Sequence, residues 1–95
     1  MAHRSMLPTL ALAGLACAAA LSPVQAFAQG CEELWYQRNR IFKEAGYCFR
    51  TPRGIRAFGN AGCLYDDERQ VPLSANQREA VTAIRRTESV LGCTP

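Results

Sequence analysis

The sequence predicts a small all-α domain of three helices, stapled by two disulfides and preceded by a signal peptide. Three observations predict it. Two stretches repeat apolar residues at helical spacing between helix start and stop signals. Four cysteines remain once the N-terminal segment is set aside. The chain left over, about 67 residues, is too short to bury a large core unaided.

Residues 1–28 have the layout of an export signal. Arg4 supplies the positive start, and Met6 to Leu21 is an apolar run rich in Ala and Leu. Ser22 and Pro23 break the run. Ala26 and Ala28 flank Phe27 as the small residues a signal peptidase needs. Cleavage is expected after Ala28, with Ala26 as the second choice. The apolar run falls short of the ~20 residues of a spanning helix, so no membrane span is expected after signal removal. Cys17 has Gly14 three places before it, where a lipid-modified cysteine has a larger aliphatic residue, and the apolar run continues past it. Cys17 therefore belongs with the signal, and residues 29–95 form the domain.

Removing Arg4 from the eleven Lys and Arg leaves ten against eight Asp and Glu, a net +2. These charges are mixed along the chain. That excludes the dense basic stripe of a nucleic-acid binder. Cys31, Cys48, Cys63 and Cys93 make an even number in an oxidising compartment, which implies two disulfides in one of three connectivities.

The first helix is expected from Cys31 or Glu32 to Ala45. Glu32 and Glu33 would then complement the dipole in its first turn. Leu34, Trp35, Ile41, Phe42 and Ala45 recur at helical spacing, and Gly46 suits the C-terminal cap. "TPRGIRAFGN" predicts a short second helix, Pro52 to Phe58. Thr51 caps it, Pro52 takes the first position, and Ile55 and Phe58 face the core together. Residues 60–73 read as a loop tied down at Cys63. The third helix opens on a capping box, Ser74 with Gln77, and closes at Gly92. Its apolar stripe is Ala80, Val81, Ile84 and Leu91.

Two charges interrupt these stripes. At 100° per residue, with Leu34 at 0°, Arg38 falls at about 40°, inside the apolar face. On the third helix, Glu88 falls about 80° from Ala80, again on the apolar face. An isolated buried charge is very costly, so each needs a partner. Antiparallel packing would place Arg38 about 10 Å from Cys31 and Glu88 about 8 Å from Cys93. The expectation is an Arg38–Glu88 ion pair. The same packing would join Cys31 to Cys93 at one end and Cys48 to Cys63 at the other.

Little catalytic chemistry is available. The single histidine, His3, lies in the signal, so the domain has no histidine base or metal ligand. Gaps of 16, 14 and 29 residues between the cysteines contain no zinc knuckle. The acidic run Asp66, Asp67, Glu68 lacks the alternating spacing of a calcium loop. No cofactor is expected. Tyr36, at about 200° on the first wheel, points away from the apolar face. With Asp66, Asp67 and Glu68 it is a candidate partner surface.

The same residues resemble the YARHG domain, a small module of bacterial secreted proteins and lipoproteins. Its pattern opens with Arg-Asn-x-Ile, runs through the eponymous five residues and continues with a Tyr and a Phe. "RNRIFKEAGYCF" matches at Arg38, Asn39, Ile41, Gly46, Tyr47 and Phe49. The eponymous segment is Phe42 to Gly46. Only its Gly is literal, Phe42 is conservative, and the His is absent. Phe58, Leu73–Ser74 and Glu88 extend the likeness, and the four cysteines make this chain a stapled variant. The resemblance implies an envelope module and carries over no catalytic residues.

The function expected is therefore non-enzymatic, an interaction module of the bacterial envelope, secreted or periplasmic. Its partner would be an envelope protein or a cell-wall component. The alternative is a periplasmic inhibitor of a hydrolase that presents the 63–71 loop. A third class, a hydrolase working through carboxylates, would need two of them facing one pocket.

Overall fold

A computed structural model of the chain describes residues 22–94. The expected signal features at Arg4, Met6 to Leu21 and Cys17 lie outside the described residues, as does His3. Three helices make the fold: α1 (Pro23–Glu44), α2 (Pro52–Phe58) and α3 (Ala75–Leu91). A 3-10 turn, Glu68–Gln70, sits between the last two. Among the described residues there is no strand, only an isolated parallel bridge from Tyr47 to Tyr65.

Helix α1 begins about two turns before the expected start. Ser22 and Pro23, which end an apolar run, are also good helix initiators. The Ser22 hydroxyl accepts from the Gln25 N–H at 3.1 Å, and Gln25 returns the bond to the Ser22 N–H at 3.2 Å. Pro23 needs no donor at the first position. In the uncut chain Glu32 and Glu33 therefore lie inside the helix rather than in its first turn, where cleavage after Ala28 would return them. Glu32 instead takes the Arg53 guanidinium, and Glu33 accepts from Gln37 one turn on.

The C-terminal end of α1 is set by Gly46, whose φ is +98°. A Cβ there would also stand 3.3 Å from the Tyr65 ring, so backbone and packing both require glycine. The chain turns, and the Gly46 carbonyl accepts from the N–H groups of Leu64 and Tyr65.

Helices α1 and α3 pack antiparallel. Partners of Cys31, Arg38 and Phe42 on α1 run backwards along α3 as Cys93, Glu88 and Val81. Phe42, Val71 and Val81 form the buried core, flanked by Ile41, Ala45, Tyr47, Tyr65 and Leu73. Burying a side chain of this size stabilises by about 1.5–3 kcal/mol. So small a core needs its two disulfides, Cys31–Cys93 and Cys48–Cys63.

The core role expected of Ile55 is corrected, because the residue is 45% exposed. The inward face of α2 is Gly54 and Phe58, one turn apart. Gly54 lies so close to Phe49 that an added Cβ would sit 2.8 Å from its ring. Phe58 stacks on Phe49 at 5.0 Å between centroids, and Tyr47 meets Phe49 edge-on at 5.1 Å. The segment between α1 and α2 is also clamped by Asn60. Its side chain accepts from the Phe49 N–H at 2.6 Å and donates to the Phe49 carbonyl at 2.9 Å. This copies the pairing of a neighbouring strand.

The 60–73 stretch is thus not a bare loop. Cys63 is bonded, Tyr65 is bridged, Asp67 caps the 3-10 turn and Val71 is buried. The stretch packs flat against the C-terminal half of α1.

Candidate functional site

The three helices do not close completely. An open cleft of about 780 Å³ runs between α1, the entry to α2 and the C-terminal half of α3. Trp35, Arg38 and Asn39 enter it from α1. The connecting segment brings Tyr47, Phe49 and Arg50, and the first turn of α2 adds Arg53. Arg85, Glu88 and Ser89 close the side formed by α3, with Glu68 from the 3-10 turn beside them.

Four arginines therefore share the cleft with two glutamates, and each arginine is held differently. Arg38 donates to Glu88 through Nε at 2.8 Å and Nη2 at 3.1 Å. Both side chains are about nine-tenths buried, at 11% and 9% exposure. Two parallel bonds fix the guanidinium plane as well as its charge. Arg85 donates to Glu68 at 2.6 Å and lies 5.7 Å from the Phe42 ring centre. That pair is half exposed, so solvent screens it. Arg53 bonds Glu32 and sits over Trp35, its guanidinium carbon 3.7 Å from the ring centre. Arg50 makes no ion pair among the described residues.

Asn39 is buried at the base, with 8% exposure. Its amide nitrogen donates to the Trp35 carbonyl at 2.9 Å. Among the described residues its Oδ1 accepts no hydrogen bond.

The expected partner-surface residues separate. Tyr36 is 43% exposed but rests against Phe58 at 4.9 Å, outside the cleft. Asp66 is exposed. Asp67 accepts from the Arg69 backbone N–H, Nε and Nη2. The hydrogen bonds from the Arg69 side chain, then from its backbone, hold the Asp67 carboxyl below the ordinary carboxylate value. Glu68 reaches the cleft only in company with Arg85. The acidic run is thus mostly engaged with arginines of the same chain.

Sequence reasoning found Arg38 and Glu88 but missed Arg50, Arg53, Arg85 and the buried face of Asn39. Arg50 and Arg53 flank the Thr-Pro helix start, and no periodicity links them to α3. Among the described residues no group of three or more His, Cys, Asp or Glu could hold a metal, and no helix is long and apolar enough to cross a membrane.

Fold and cleft together define a small helical, doubly disulfide-bonded module. The chain matches the family model of the YARHG domain over residues 10–89, and it belongs to that family. No curated protein and no solved structure matches it. Membership and the two disulfides agree with an extracellular or periplasmic place. Of the residues that carry the family likeness in this sequence, Arg38, Asn39, Tyr47, Phe49 and Glu88 line the cleft, while Ile41, Gly46 and Phe58 do not.

Proposed function

We propose that the protein is a non-enzymatic interaction module of the bacterial cell envelope. It is exported by the signal of residues 1–28, oxidised on arrival, and holds an envelope protein or cell-wall component in the arginine-lined cleft. The observation that carries this reading is the cleft itself, with an excess of arginine over glutamate on aromatic walls. Its volume falls in the range of about 300–1,000 Å³ usual for ligand sites.

The hydrolase reading fares less well. Glu68 and Glu88 do face one cleft, yet both Glu88 oxygens are bonded to Arg38 and Glu68 is bonded to Arg85. A general acid and base need carboxyl oxygens available to the substrate. The inhibitor reading asked for a projecting 63–71 loop. This one is tied to the fold at Cys63, Tyr65 and Val71, with Leu64 74% exposed and the Arg69 side chain 89% exposed.

Sedimentation with isolated bacterial envelopes tests the proposal. The oxidised protein should pellet with them, and Arg50→Glu combined with Arg85→Gln should stay in the supernatant. Equal pelleting of both proteins would reject the cleft as the contact face.

A further inference from the structure

We infer that the cleft receives the free carboxyl end of a peptide. This rests on the reading that the cleft is the contact face, and it names what the face holds.

Three features of the cleft select the ligand. The first is charge. Arg38, Arg53 and Arg85 are each tied to a glutamate, while Arg50 at the rim makes no ion pair among the described residues. Arg38 keeps Nη1 outside its two bonds to Glu88. The cleft thus has guanidinium donors beyond those its own carboxylates use, and planar donors match a carboxylate in shape.

The second feature is the opposite polarity beside it. Asn39 is more than nine-tenths buried, lines the cleft, and has its amide nitrogen fixed on the Trp35 carbonyl. Its Oδ1 is an acceptor without a protein donor among the described residues. A ligand that brings a donor to this acceptor is favoured over one that brings none. A simple carboxylate brings no donor, and inorganic phosphate brings an O–H but no apolar body for the ring-lined wall. A peptide end brings a donor, because its last amide N–H lies next to the terminal carboxylate.

The third feature is the apolar wall. Trp35, Tyr47 and Phe49 border the same space, and the Arg53 guanidinium packs over the Trp35 ring. A terminal residue with an apolar body packs there while its two polar groups meet arginine and Asn39. Charge alone would admit any anion. Charge, acceptor and wall together describe a peptide terminus.

The test is an NMR titration of the oxidised, exported protein. One probe is a pool of N-acetylated tripeptides with free carboxyl ends. The second is the same pool amidated, the third has the last amide replaced by an ester, and the fourth is inorganic phosphate. The free-acid pool should shift the Asn39 side-chain amide and the Trp35 indole. Amidation should weaken binding roughly tenfold, as loss of one charge-assisted contact implies, and the ester should weaken it severalfold. Arg50→Gln, at an exposed position, should reproduce the loss caused by amidation without altering the rest of the spectrum.

Silence from the free-acid pool overturns the inference. So does equal binding of the amidated pool, or phosphate binding as tight as the peptides. If peptides fail while envelopes still retain the protein through Arg50 and Arg85, the ligand class is wrong and the module reading stands. If the envelopes release it as well, both readings fall.

Discussion

The α1–α3 pair and the segment from Gly46 to Tyr65 hold themselves together by different means. The helix pair buries few side chains, and relies on one ion pair and one disulfide at its end. The segment buries rings against rings and completes its backbone hydrogen bonds through Asn60 and the Tyr47–Tyr65 bridge. In the first region the register depends on charge and a covalent tie. In the second it depends on close contact at a glycine. The two regions should therefore fail under different substitutions.

The largest effects should come from the staples. Replacing Cys31 and Cys93 with serine removes a link across 62 residues and should cost about 4 kcal/mol. Replacing Cys48 and Cys63 opens a link across 15 residues and should cost about 3 kcal/mol. Thermal melts of the two double variants measure the difference. If the inner pair proves the costlier, the aromatic segment organises the fold more than the helix pair does.

Next comes the ion pair. Glu88→Ala leaves Arg38 buried without its partner and should destabilise by about 3 kcal/mol in urea unfolding. Exchanging the two charges, Arg38→Glu with Glu88→Arg, should recover part of that loss. A double variant no better than either single one would break the account of the helix pair.

Gly54→Ala probes the other region. Better helix propensity offsets part of the clash with Phe49, leaving a net cost of about 1 kcal/mol. Its signature should be altered ring shifts at Phe49 and Phe58, with Arg38 unmoved.

The smallest effect concerns acid. The carboxyl of Asp67 titrates below its unfolded value, so its contribution is present above that value and fades as pH falls through the folded one. Arg69→Gln should raise the Asp67 titration toward the ordinary carboxylate range, observed by carboxyl NMR, while the backbone N–H of residue 69 keeps part of the shift. The melting temperature at neutral pH should hardly change, since the pair is at the surface.

The two regions also differ in how far sequence reveals them. Helical arithmetic placed Leu34, Phe42, Val81, Arg38 and Glu88 on facing stripes, because periodicity is a local property that packing then uses. Capping rules bounded α2 and α3 for the same reason. They misplaced the start of α1, since Ser22-Pro23 both interrupts an apolar run and opens a helix. The cleft was hardly legible. It needs Arg50, Arg53 and Arg85 brought together by the Asn60 clamp and the flat 60–73 stretch, and neither leaves a periodic trace. Asn39 was quoted as part of a motif, but its burial follows from where α3 lies.

The disulfides are nested, with Cys48–Cys63 wholly inside the loop closed by Cys31–Cys93. Every peptide bond from Cys31 to Cys93 thus lies within a covalent ring. A single cut by an envelope protease anywhere in that span opens the chain but releases no fragment. The nicked molecule keeps its helices tethered side by side, and losing a piece takes a second cut or a reductant.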